Sequence, residues 1–154
     1  MLARDGIVSP EFASIEEYLS THTADYYEAL RRVQGRGVYD PTRDARSWVM
    51  FCVDAHLEQA RQRLAQIEQA GERWGRLERL VEERGWPDRL VIALEQALIG
   101  GTDRSRYVAE ADVAAVTATG DLRRLLDAGL LVSRGGGRST RYVPSDALRA
   151  AVAG

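Results

Sequence analysis

The apolar pattern changes period twice within residues 120–143, GDLRRLLDAGLLVSRGGGRSTRYV, and few folds accommodate such a change. Leu122, Leu125 and Leu126 recur as residues do on one face of a helix laid against a core. Gly129 follows, suited to the left-handed backbone that ends a helix. "LLVS" and "TRYV" then alternate in the manner of strands, with Gly135, Gly136 and Gly137 between them as a turn. A helix therefore feeds an antiparallel hairpin, and the residues upstream must supply the layer beneath both.

Upstream, "RYVAEADVAAVTAT" reads as a short strand beginning at "RY", then a short helix and a turn. Val108, Val113 and Val116 are expected to bury that short helix, and Thr117 or Thr119 to cap the longer one after it. Thr119, Arg123 and Asp127 then face outward. Strand, helix, turn, helix, strand, glycine tip and strand is the order of a winged helix-turn-helix. The fold class expected is mainly α, with a helical N-terminal segment containing one long helix, followed by a C-terminal winged helix-turn-helix with a small β-hairpin wing.

The chain carries a formal net charge of -2, so attraction to nucleic acid must come from a local patch. Between Thr117 and Val143 there are five arginines, Arg123, Arg124, Arg134, Arg138 and Arg141, against two aspartates, Asp121 and Asp127. No lysine occurs, so every basic side chain is a planar fork suited to phosphate and guanine edges. Thr117, Thr119, Arg123, Arg124, Arg134, Arg138 and Arg141 are the candidate DNA-binding residues, with helix side chains toward base edges and wing arginines toward phosphate or the minor groove. The same stretch resembles bacterial winged-helix transcription factors, with Gly120 and Asp121 standing where many relatives carry a base-reading side chain. Double-stranded DNA is the partner so implied; a wing that contacts protein is the alternative.

The rest of the chain is helical in pattern. "SIEEYLSTH" carries a capping box, Ser14 with Glu17, and Thr23–Gln34 places Tyr26, Tyr27, Leu30 and Val33 near one face before Gly35. After the Asp40–Pro41 turn, the longest helical pattern covers about 45–84. Val53, Leu57, Ala60, Leu64 and Ile67 alternate four and three apart, a heptad seam that packs either on a neighbouring helix of the same chain or on a second copy as a dimer. The phase slips at Ala70, Trp74, Leu77 and Val81, which predicts a stammer or break near Gly71. Glu72 and Arg76 form an i,i+4 pair. Trp86 and Pro87 mark a boundary, giving segments 1–84 and 85–154. Leu90, Val91, Leu94, Ala97 and Leu98 make the buried stripe of a helix ending at Gly100 and Gly101.

The first half, "SIEEYLSTHTADYYEALRRV" followed by "WVMFCVDAHLEQARQRL", is similar to the C-terminal helices of Fic-family proteins, through its "YL...YYEAL" helix and Trp48, Phe51 and Glu58-Gln59-Ala60. Members often carry a winged helix after these helices. The family transfers AMP from ATP to protein hydroxyls through a motif of the form HPFx[D/E]GN[G/K]R, which is absent here. The resemblance thus implies a C-terminal portion of such a protein, with "LARDG" as the tail of the helix after the motif, no inherited catalytic residue, and a protein target for any parent.

Other chemistry finds little footing. Cys52 is the only cysteine and sits in an apolar helical stretch, which favours a buried, inert thiol. His22 and His56 are far apart, so no metal site and no cofactor is expected. The N-terminus lacks the apolar core of a signal peptide, and no run has membrane-spanning length. A reducing, cytoplasmic setting without a membrane fits.

Overall fold

A computed structural model of the chain describes residues 15–35, 37, 42 and 44–153. Among these it is mainly helical, with seven α-helices and one two-stranded antiparallel sheet. Internal contacts divide the chain into two units between Glu68 and Gln69. No helix among the described residues is long and apolar enough to cross a membrane.

The first unit holds α1 (Glu16–Thr21), α2 (Thr23–Gln34) and the first part of α3 (Arg46–Glu82). Ser14, the expected cap of α1, and the turn at Asp40 and Pro41 lie outside the described residues. Gly35 closes α2 with φ +62°, its N–H donating to the Arg31 carbonyl at 2.8 Å. Aromatic side chains hold these helices together. Tyr18 stacks on His22 with ring centroids 3.9 Å apart, and Tyr26 meets Tyr27 and Trp48 edge-on at 5.1 and 5.6 Å. Phe51 lies 6.0 Å from both Tyr18 and Trp48. Such pairs contribute about 0.5–1.5 kcal/mol each beyond their burial. Behind them Ala55 and Gln59 of α3 are buried, and Gln59 donates to Glu17 at 3.3 Å.

The heptad seam does not pack on another helix of this chain among the described residues. Val53, Leu57, Leu64 and Ile67 are each about half exposed, because the face covered by α1 and α2 is the one carrying Ala55 and Gln59, on the other side of α3. Nor does the helix break at Gly71, since α3 runs through to Glu82. One glycine costs a helix only about 1 kcal/mol, and Leu77 and Val81, fully buried in the second unit, anchor the turns beyond it. The slip in phase therefore marks a change of apolar face on a continuous helix. Glu72 and Arg76 do pair, at 3.3 Å, while Arg76 also donates to the Val152 carbonyl at 2.6 Å.

The second unit adds α4 (Leu90–Gly100), α5 (Arg104–Ala111), α6 (Ala115–Asp127), the hairpin β1 (Leu131–Arg134) and β2 (Arg141–Pro144), and α7 (Asp146–Val152). Leu77, Leu90, Leu94, Tyr107, Leu122 and Leu125 lie in its core, each leucine worth about 1.5–3 kcal/mol of burial. Leu98 and Leu126 pack at its edge. The hairpin pairs Leu131 with Pro144 and Arg134 with Arg141. Gly129 takes φ +70° after α6, as expected of it.

Three local expectations are corrected. Residues 106–108 are helical, because Asp103 caps α5 by accepting from Ser105 N and Arg106 N at 2.8 and 3.0 Å, and Tyr107 turns its ring into the core. The bridging role falls to Thr102 alone, which exchanges backbone bonds with Tyr142 at 2.8 and 2.7 Å. Val116 is not buried but 81% exposed, since α6 starts at Ala115 and places it on the outward side. For the same reason neither threonine caps α6: its N-cap is Ala114, without a side-chain bond, and Thr119 Oγ1 donates back to the Ala115 carbonyl at 2.8 Å.

Candidate nucleic-acid interface

The orientation of α6 is set by one buried carboxylate. Asp121 is 4% exposed and accepts a two-pronged bond from Arg89, at 2.7 Å to Nε and 3.1 Å to Nη2, and a third bond from the Tyr107 hydroxyl at 3.0 Å. A buried carboxylate persists only where it is paired and hydrogen-bonded in this way. The bond to Asp121 raises the Arg89 guanidinium above its ordinary pKa. Burial, with the Asp121 charge beside it, pushes the Tyr107 phenol well above its own. Position 121, where the transcription-factor resemblance puts a base-reading side chain, thus faces inward and locks α6 to α4 and α5.

With Asp121 turned in and Leu122 and Leu125 buried, the opposite side of α6 presents Val116, Thr119, Arg123 and Asp127 to solvent. The outward placing of Thr119, Arg123 and Asp127 is as the leucine spacing predicts. Thr117 is half-buried. The surface of residues 117–143 keeps Asp127 as its single carboxylate, where the sequence counts two. Arg123 lies 3.8 Å from it, a fully solvated pair of little strength.

The remaining arginines divide into free and engaged. Among the described residues no ion pair or hydrogen bond engages the guanidinium groups of Arg124 and Arg134, both exposed. Arg141 is exposed too, but its Nη2 donates to the Gly100 carbonyl at 2.8 Å and its stem covers Gly101. The Arg138 side chain lies outside the described residues. The hairpin tip is stiffened by a 3-10 turn over Gly137–Ser139, where Ser139 and Thr140 hydroxyls donate to Gly136 and Gly137 carbonyls at 2.9 and 3.0 Å.

One cleft of about 480 Å³ gathers the start of α5, the outward side of α6 and the hairpin; its lining includes Arg104, Ser105, Thr119, Gly137, Thr140 and Tyr142. Arg104, exposed and without a partner among the described residues, was not a candidate from sequence. The signal was there in "TDRS", an aspartate N-cap two residues before a serine, but reading "RY" as the start of a strand concealed the helix it opens. Val116 was missed because its spacing from Val113 suggested a shared core face.

Elsewhere the titratable groups serve structure. Burial raises the Cys52 thiol, away from thiolate chemistry. His22 stacks on Tyr18, and exposed His56 places Nδ1 2.7 Å from the Cys52 carbonyl. No group of three or more His, Cys, Asp or Glu suited to a metal ion occurs among the described residues. No protein-family model matches the chain, and no curated protein is similar enough to it to count as a relative.

Proposed function

We propose that the second unit is a winged helix-turn-helix that binds duplex DNA, with α6 entering the major groove and the β1–β2 hairpin acting as the wing. The observation that carries this reading is the shared cleft: Arg104 of α5, Thr119 of α6 and Gly137 and Thr140 of the hairpin border one concavity, together with Asp103; Arg124 and Arg134, exposed, have no partner among the described residues. On this reading Val116 offers methyl groups to thymine and Thr119 and Arg123 meet base edges, while Arg104, Arg124 and Arg134 meet phosphates. The chain itself performs no catalysis, and its role is that of a transcription regulator.

Arg104→Ala and Arg134→Ala test the assignment, since neither side chain has a partner among the described residues. Each should weaken binding to all sequences alike and lower the salt slope by about one. Arg123→Ala should cost about 1–3 kcal/mol at a preferred site and relax its sequence preference. Affinity and slope unchanged in all three variants would exclude this surface. Arg141→Ala is a poorer probe, because it also uncovers Gly101 and frees the Gly100 carbonyl.

A second reading rests on the aromatic cluster. Tyr18, Tyr26, Trp48 and Phe51, the residues that carry the Fic resemblance, pack on one another in the first unit. On this reading, which rests on the resemblance, the chain is a non-catalytic portion of a Fic-type protein that positions a target for AMP transfer by the rest. This chain should then move no label from ATP to protein, whereas a longer chain supplying the missing motif should.

A further inference from the structure

α3 has two apolar faces, and one of them is left uncovered by the described residues. Ala55 and Gln59 lie under α1 and α2, while on the other side Val53, Leu57, Leu64 and Ile67 are 51, 46, 56 and 60% exposed, and Met50, 49% exposed, borders a cleft with Asp25, Ala29 and Arg32 of α2. With Ala60, also exposed, these residues alternate three and four apart, the 3.5-residue period that follows a partner helix around a supercoil. A helix facing only water gains nothing from that period. Isolated exposed hydrophobes are common, but a continuous stripe on one helix marks an interaction surface.

We propose that this stripe is a self-association seam, and that its occupant is the same stripe of a second copy of this chain. Met50, Leu57 and Leu64 take the a positions and Val53, Ala60 and Ile67 the d positions. The flanking charges favour a like partner: Arg63 falls at g and Glu68 at the following e, the two positions that face each other across a parallel seam. Two copies therefore set two opposite-charge pairs, Arg63 to the partner's Glu68 and the reverse. Within one chain Arg63 reaches Glu17 only at 3.4 Å, a solvated contact that yields readily. The seam is independent of the DNA reading, and mass measured without DNA keeps the two apart.

The test is sedimentation equilibrium of the full chain from about 1 to 100 μM, which spans association free energies of about -8 to -5.5 kcal/mol. The expected result is a mass of two chains. Leu57→Glu and Leu64→Gln should each weaken association more than about tenfold, because each removes a buried leucine from the seam. Helical circular dichroism should persist in both, as these side chains are half exposed in the single chain. Glu68→Arg should weaken association, and adding Arg63→Glu to it should restore it. A monomer at 100 μM, or variants that associate as the parent does, would overturn the proposal.

Discussion

Asp121 shows how one residue decides what a helix presents. Its carboxylate is held by Arg89 and Tyr107, so removing a partner leaves a buried charge undersatisfied. Arg89→Leu should cost about 2–4 kcal/mol, read as a shift in the urea midpoint of the second unit at unchanged slope. Tyr107→Phe removes the hydroxyl that donates to Asp121 at 3.0 Å and also lies 3.3 Å from the Arg89 carbonyl, and should cost about 1 kcal/mol at neutral pH. It should also change the alkaline limb. The folded state holds the Tyr107 proton more tightly than the unfolded chain does, so the unfolded state binds fewer protons once pH passes the ordinary tyrosine value of about 10. Stability attributable to Tyr107 is intact below that pH and falls above it. The Phe variant should lose that part of the decline, and an unchanged alkaline limb would contradict the buried phenol.

At the level of elements, the helix-to-hairpin passage was legible because its signals are local: leucines at helical spacing, a glycine where the backbone turns left-handed, and period-two alternation in both strands. The α5 start was not, because the tyrosine in "RYV" satisfies a strand pattern and a buried helical position equally well; only the Asp103 cap, two bonds to backbone N–H groups, decides it. Val116 escaped for a related reason, since its exposure follows from where α6 starts, and that depends on α5 before it. The inward turn of Asp121 needed Arg89, far off in sequence, which no local pattern supplies. The seam on α3 was readable as a repeat, but not the fact that α1 and α2 cover the other face. Gly101 joins elements in turn: at φ +88°, a Cβ there would stand 2.8 Å from Arg141 Nε and 3.2 Å from the Tyr142 carbonyl. Gly101→Ala should destabilise the Thr102–Tyr142 bridge by about 1–3 kcal/mol, seen as faster amide exchange at both residues, and parent-like protection would refute the close approach.

For the molecule as a whole, binding cannot come from net charge, which is -2. On the proposed reading it comes instead from individual exposed arginines of the second unit, which makes it salt-sensitive in a countable way. The measurement that tests this most directly is fluorescence anisotropy of the full chain with random-sequence duplex DNA, titrated from low to moderate salt. Expected is an affinity that falls steeply, with a log-log slope of about -0.9 for each phosphate neutralised, and a shallower slope for the Arg104→Ala, Arg134→Ala double variant. Absence of binding at low salt, or a slope the double variant leaves unchanged, would contradict a DNA-binding second unit.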